Sequence, residues 1–289
     1  MRIKQVALIV TLLVVMTMLI GVGVIAVQGK QKPKTNGRYV ALGSSFAAGI
    51  GLGERAAGSP IACQRSINGY PQRLSRLTGI PLVDMTCSGA TIEHVLHGGQ
   101  FFQGPQIDAL GPDTELVTIT AGGNDIDYVG DIMAMYYRGK GGFLGFVLDR
   151  FWHRALPVEQ RQFTRLKSNM VSTFNEIAHR APQARILVIT YPTILPPAGT
   201  CADIGIGEGE AALMRAVGAR LVEVTREAAQ TAGATLVDMA TLSAGYHDVC
   251  SADPWMNGAA PEHGTPFHPN FAGAQTTAEQ IQLVLDKKP

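Results

Sequence analysis

The chain has 289 residues, 46% of them hydrophobic and 16% charged, which is ample apolar material for one sizeable globular core. Its formal net charge is +1, and leaving out the first 29 residues removes Arg2 and Lys4 but no acid, which brings the balance to −1. So even a charge, with no basic stripe, zinc-finger spacing or phosphate-cradling Gly-rich loop, gives no physical reason to expect a nucleic-acid partner.

Arg2 and Lys4 precede "VALIVTLLVVMTMLIGVGVIAV", Val6 to Val27, which contains no charged residue. A run of this length spans a bilayer as a helix, whereas the apolar region of a secretory signal is usually shorter. Against that, Val24-Ile25-Ala26 has the small residues a signal peptidase prefers, and no cysteine follows to accept a lipid. Residues 1–29 are therefore expected to be a signal peptide or an N-terminal membrane anchor formed by residues 6–27, residues 30–37 a polar linker, and 38–289 one domain. Export follows on either reading, to the extracellular side or the cell envelope. The positive-inside rule keeps Arg2 and Lys4 cytoplasmic, although the basic linker weakens the bias.

Past residue 38 the pattern alternates between short β-branched runs and longer helical stretches. "RYVALG" (38–43), "PLVDMT" (81–86), "ELVTITAGG" (115–123), "ARILVITYP" (184–192) and "ATLVDMA" (234–240) are nearly continuous apolar runs, as a parallel sheet covered on both faces requires. Helices are expected from Tyr70 to Leu77, Glu159 to Arg180, Glu208 to Ala232 and about Phe271 to Leu285, the last capped by Asn270. This alternation predicts a doubly wound α/β sandwich. Residues 126–157, rich in Met, Tyr, Phe and Trp and broken by glycines, read first as extra helices capping the core and second as an apolar cover over a site.

Four cysteines follow the apolar segment: Cys63, Cys87, Cys201 and Cys250. In an exported chain an even count suggests disulfides, and four cysteines allow three connectivities, of which nearest-neighbour pairing would close two separate loops. None forms a Cys-x-x-Cys pair, and His94-x-x-His97 lacks a third ligand, so no metal or cofactor is assigned.

Ligands of open α/β sheets gather at the carboxyl ends of the strands. Those ends carry Gly43-Ser44-Ser45, Thr86-Cys87-Ser88-Gly89-Ala90 and Gly122-Gly123-Asn124-Asp125, and His268 stands in "PFHPN" just before the last helix. Each alone has a bland explanation, because Gly-Ser-Ser and Gly-Gly-Asn-Asp are favoured turn sequences. Together they supply acyl-transfer chemistry. Serine needs a base to become a nucleophile, histidine suits that task near neutral pH, and backbone and amide N–H groups meet the oxyanion.

The blocks "GSSFAAG", "TCSGAT", "GGND" and "PFHPN" resemble the GDSL, or SGNH, hydrolases, a family of serine esterases and lipases. "CQRSINGYP" (63–71), the cysteine in "TCSGA" and "DPWMNG" (253–258) echo its secreted actinobacterial members in particular. The resemblance covers residues 38–288. It implies a three-layer, doubly wound, mostly parallel five-stranded sheet of the flavodoxin-like kind, with no cofactor. It implies a nucleophile at Ser45, oxyanion donors at Ser45, Gly89 and Asn124, a base at His268, and disulfides Cys63–Cys87 and Cys201–Cys250. The substrate implied is a small-molecule or lipid acyl ester, with the membrane as a further partner if residues 6–27 are retained.

Two departures matter. The usual Asp before the nucleophile is Ser44 and the usual leucine after it is Phe46; the family's acidic triad member, three residues before the histidine, is Thr265. Some secreted relatives use a main-chain carbonyl instead, so the expectation here is a Ser–His dyad with the Thr265 carbonyl orienting the ring. The alternative is that Glu262 or Asp253 folds back to complete a triad. Functionally the leading reading is hydrolysis of carboxylic esters. Acyl transfer to an envelope glycan or glycolipid is the second reading and an inactive envelope binding protein the third.

Overall fold

The computed structural model describes residues 2–31 and 37–287. Within it the chain runs through helix α1 (Arg2–Gly29), strand β1 (Tyr39–Gly43), α2 (Ser45–Ala48), α3 (Tyr70–Thr78), β2 (Leu82–Asp84), α4 (Ile92–His97), β3 (Leu116–Thr120), α5 (Tyr128–Lys140), α6 (Gly142–Phe151), α7 (Phe163–Arg180), β4 (Arg185–Ile189), α8 (Glu208–Thr231), β5 (Thr235–Val237), α9 (Met239–Ser243) and α10 (Phe271–Asp286). All five expected strands form, each shorter than its apolar run. Most of the expected linker, residues 32–36, lies outside the described residues.

The strands make one parallel sheet in the order β2-β1-β3-β4-β5, so the order reverses between β1 and β3. Strand alternation divides the core between its two faces. Val40 and Leu42 of β1 point to a large cluster with α4, α5, α7 and α8, while Tyr39 and Ala41 point the other way, to α3 and α10. The result is the three-layer doubly wound sandwich that the sequence pattern required.

Helix boundaries follow local chemistry. Asn270 caps α10 by accepting the Gly273 N–H at 2.9 Å, as expected. Helix α7 starts at Phe163, not at Glu159, because Arg161 is extended. Its buried guanidinium reaches back to Asp131 at 2.7 Å and to the Ile126 carbonyl, and a helical Arg161 would not make that reach. The same carboxylate accepts Trp152 Nε1–H at 3.0 Å, which folds the segment after α6 onto α5. Residues 126–157 thus form two helices. Helix α5 buries Tyr128, Val129 and Ile132 in the core, whereas α6 leaves Phe143, Phe146 and Phe151 exposed.

Both disulfides implied by the resemblance are formed, Cys63–Cys87 and Cys201–Cys250. Residues Ile9–Gly29 of α1 have a mean hydropathy of 2.7, and all but the last turn, where Gly29 is buried, stand clear of the rest of the chain. A bilayer-length apolar helix and two closed disulfides are the combination expected of an exported protein.

The disulfides close loops of 24 and 49 residues, which predicts about 3–4 kcal/mol of stabilisation from each on chain-entropy grounds. Urea unfolding of Cys201→Ser/Cys250→Ser should show a loss of that size against the parent. A loss below about 1 kcal/mol would mean that the loop stays closed without the bridge.

Candidate active site

Ser45 opens α2 immediately after β1 and is almost fully buried. As the first residue of the helix, its N–H lies outside the intrahelical ladder and is free for another acceptor. What puts Ser45 there is the glycine two positions earlier. Gly43 pairs with Thr120 of β3 at φ 127°, where a Cβ would run into the Thr120 carbonyl. Both backbone groups of Gly43 are engaged by the buried Gln106 amide, at 2.8 and 3.1 Å. Ser44 N–H still donates to Thr120 O at 2.9 Å, so the strand pairing ends one residue before Ser45.

His268 arrives from the loop before α10. Its Nε2 lies 2.9 Å from Ser45 Oγ, and its Nδ1 lies 2.8 Å from the carbonyl of Pro266. The expected orienting residue was Thr265, and here the structure differs. Residues 265–268 make a tight turn in which the Thr265 carbonyl accepts the His268 backbone N–H at 3.3 Å and Asn257 Nδ2–H at 3.2 Å. Pro266 and Phe267, the latter at φ 57°, are the central residues, so the Pro266 carbonyl is the one turned towards the ring. A buried phenylalanine in the left-handed region is strained, a feature that clusters at functional sites.

Neither candidate carboxylate meets His268. Asp253 is exposed, with its carboxylate 3.5 Å and its carbonyl 2.8 Å from His247 Nδ1, and Glu262 lies at the surface. Burial alone therefore governs the His268 ring and lowers its pKa to about 4, with the Pro266 carbonyl opposing weakly. At neutral pH the imidazole is unprotonated and can accept a proton from Ser45. The Phe46 ring, 5.1 Å from the His268 ring, covers it.

The other two strand ends converge on the same place. Cys87 N–H donates to Gly43 O at 3.0 Å, which continues the β2 side of the sheet past its last strand residue and carries Gly89 up beside β1. Gly89 sits at φ 82°, and its N–H has no acceptor among the described residues. Asn124 Nδ2 donates to the Ala90 carbonyl at 2.9 Å, which fixes the amide against the Gly89 loop and leaves one N–H over. Next to it the Asp125 carboxylate accepts the Ile92 N–H at 3.1–3.2 Å, a second clamp between the same two loops. Burial raises the Asp125 pKa to about 6.

Three contributors were not anticipated. Gln106 seals Gly43, the Pro266 carbonyl holds His268, and Tyr191 ties two strand ends together. The Tyr191 hydroxyl accepts the Gly123 N–H at 3.1 Å and shares a hydrogen bond with Ser44 Oγ at 3.1 Å. Burial pushes its pKa up to about 12, so it stays a neutral phenol. Its place just beyond β4 was a usable signal, whereas nothing in the sequence marked Gln106.

Residues 41–276 match the GDSL-like lipase/acylhydrolase family. A lipase of Streptomyces coelicolor, Lipase 2, is 33% identical over 261 residues, covering 86% of this chain and 85% of that protein. The crystal structure of the extracellular lipase from Streptomyces rimosus superposes with a TM-score of 0.67 at 27% identity, covering 86% of this chain and 99% of that one. That of phospholipase A1 from Streptomyces albidoflavus gives a TM-score of 0.67 at 26% identity, covering 87% and 99%.

The lowered basicity of His268 can be checked directly. Its ring protons should titrate by NMR with a midpoint near 4, well below the ordinary value of 6.5. The unfolded chain takes up this proton first, so the fold should lose stability as pH falls from about 6.5 towards 4. A midpoint above 6.5 would mean that a carboxylate does face the ring.

Proposed function

The chain belongs to the GDSL-like lipase/acylhydrolase family, and from that premise we propose that Ser45 and His268 form the dyad that cleaves its acyl ester substrate. The protein is a carboxylic ester hydrolase; its lipase relatives and solved neighbours agree on that class. The observation that carries the residue assignment is the 2.9 Å contact between His268 Nε2 and Ser45 Oγ.

His268 takes the Ser45 proton as Oγ attacks the acyl carbonyl carbon. The tetrahedral oxyanion is met by the Ser45 N–H, the Gly89 N–H and the free Asn124 Nδ2–H. Imidazolium then returns the proton to the departing alkoxide, which releases the alcohol and leaves an acyl-enzyme. Water repeats the sequence, ending in a carboxylic acid and free Ser45. Throughout, the Pro266 carbonyl holds the Nδ1–H tautomer. Lipid acyl esters fit this site best, given relatives named as lipases and a phospholipase A1. The helix of residues 2–29 then serves as the export signal or the anchor, and residues 38–289 as the hydrolase domain.

A fluorophosphonate should label Ser45, and Ser45→Ala should abolish both labelling and ester turnover while leaving the fold intact. Labelling that survives the substitution would place the nucleophile elsewhere.

Asn124→Ala should lower kcat by roughly 10²–10³ with little change in KM, as expected of a donor used in the transition state. A change confined to KM would make Asn124 a substrate-binding residue instead. Glu262→Gln and Asp253→Asn should each leave kcat near the parent value, because no carboxylate faces the imidazole; a loss near the roughly 10⁴-fold seen on neutralising a triad aspartate would refute the dyad.

A further inference from the structure

The last turn of α1 does not hang free of the globular part. The Gln28 side-chain oxygen accepts the Ile61 N–H at 2.8 Å. Gly29 is buried so closely against the Phe101 carbonyl that a Cβ there would collide with it. The neighbouring residue, Gln100, donates through Nε2 to the Ser88 carbonyl at 2.8 Å, and that same nitrogen is 3.2 Å from where a Cβ on Gly89 would stand. Gln103 Nε2, at the other end of the short loop, lies 2.9 Å from Cys63 Sγ of the disulfide that holds Cys87. One short loop thus joins the end of the apolar helix to the glycine placed in the oxyanion site.

The surface around that junction is apolar and strained. Ile61, Phe101 and Phe102 are 50%, 40% and 55% exposed, although each is a large hydrophobic residue. Phe101 and Phe102 both stand at positive φ, 49° and 63°, where a bulky side chain is disfavoured. Two consecutive phenylalanines in that conformation display their rings outward at the point where α1 leaves the domain. Above them, the described side chains of α1 present Leu, Val, Ile and Met with nothing of this chain covering them. Water is a poor environment for such a helix and a bilayer a good one, and aromatic rings favour the bilayer–water boundary.

We propose that α1 is retained as a membrane anchor and that Ile61, Phe101 and Phe102 rest on the bilayer surface where it emerges, so that the ester cleaved is an acyl lipid drawn from that membrane. The proposal rests on the ester-hydrolase reading and adds to it where the substrate comes from and which side chains present it. The juxtaposition that carries it is the Gln28–Gly29 end of a bilayer-length helix seated on the loop that contacts Ser88 and Gly89. On this proposal the loop that meets the lipid surface is the one whose Gln100 side chain touches Ser88 and Gly89.

The test uses the full-length chain in vesicles of phosphatidylcholine and phosphatidylglycerol, with two substrates: a water-soluble short-chain ester and a long-chain ester embedded in the vesicles. Phe101→Asn/Phe102→Asn is the informative variant, because asparagine tolerates positive φ and the loop backbone is preserved. The variant should turn over the soluble ester within about twofold of the parent but the embedded ester about tenfold or more slowly, having lost the two rings that rest on the lipid. Protein recovered from its own cells should retain residues 9–29 by mass spectrometry. Undiminished turnover of the embedded ester, equal losses on both substrates, or removal of the helix in the native protein would each overturn the proposal. Failure of the parent to cleave the soluble ester would instead refute the hydrolase reading itself.

Discussion

Everything at the candidate active site depends on how closely β1 and β3 approach at the point where both strands end. Gly43 opposite Thr120 leaves no room for a side chain, so the ladder runs to the last residue of β1 and one amide further. Serine 45 then occupies the first position released from pairing, at the point where the strand order reverses and a crevice opens. Neither backbone group of Gly43 is left unpaired, since Gln106 accepts from its N–H and donates to its carbonyl. A strand end this tightly tied positions the serine without any direct bond to its side chain other than that of His268.

On the proposed mechanism, replacing the usual carboxylate by the Pro266 carbonyl changes the electrostatics more than the geometry. The ring is still held by Nδ1 and still faces Ser45 through Nε2. What is lost is a full negative charge to stabilise imidazolium, so burial lowers the His268 pKa with only the Pro266 carbonyl opposing it. The result is a weaker base for deprotonating serine and a stronger acid for protonating the leaving alcohol. Such a balance shifts the burden to the oxyanion donors, and these are correspondingly well fixed. Asn124 is bonded to Ala90, and Asp125 to Ile92, so the loops that carry Gly89 and Asn124 are tied to each other at two points.

The sheet was legible because a covered parallel sheet demands continuous apolar runs, and three of the five runs end just before Ser45, Gly89 and Asn124 of the candidate site. Ser45, Gly89, Asn124 and His268 could be picked out because each follows a strand or precedes a helix, where loops of this fold converge. Thr265 could not be placed correctly by spacing. Counting three residues back from the histidine ignores the tight turn at Pro266 and Phe267, whose positive φ turns the Pro266 carbonyl inward and leaves that of Thr265 to close the turn. Gln106 was invisible for a different reason. A single buried amide has no periodicity, and its role exists only when two strand ends and a one-turn helix meet in space.

The two disulfides show how such a site is kept in order where regular structure is absent. Cys87 is held by Cys63 one residue before the Ser88–Gly89 turn, and Cys63 O accepts the Ser88 N–H at 3.1 Å. Cys250 ties the loop leading to His268 to Cys201, in the long connection that follows β4, and Val249 N–H adds a bond to Ile194 O at 3.0 Å. Between Ser243 and Asn270 there is no helix or extended strand among the described residues, and the backbone at His268 is held by a single antiparallel bridge, Met256 to Pro269, with Asn257 N–H donating to His268 O at 2.9 Å. Closing that loop removes conformations from the unfolded chain and at the same time limits how far the loop can wander in the folded one. One bridge therefore sits two residues from Gly89 and the other closes the long loop that leads to His268, both in segments with little regular secondary structure. The sheet fixes Ser45 from one side through a glycine, and the bridges fix the loops that must meet it from the other.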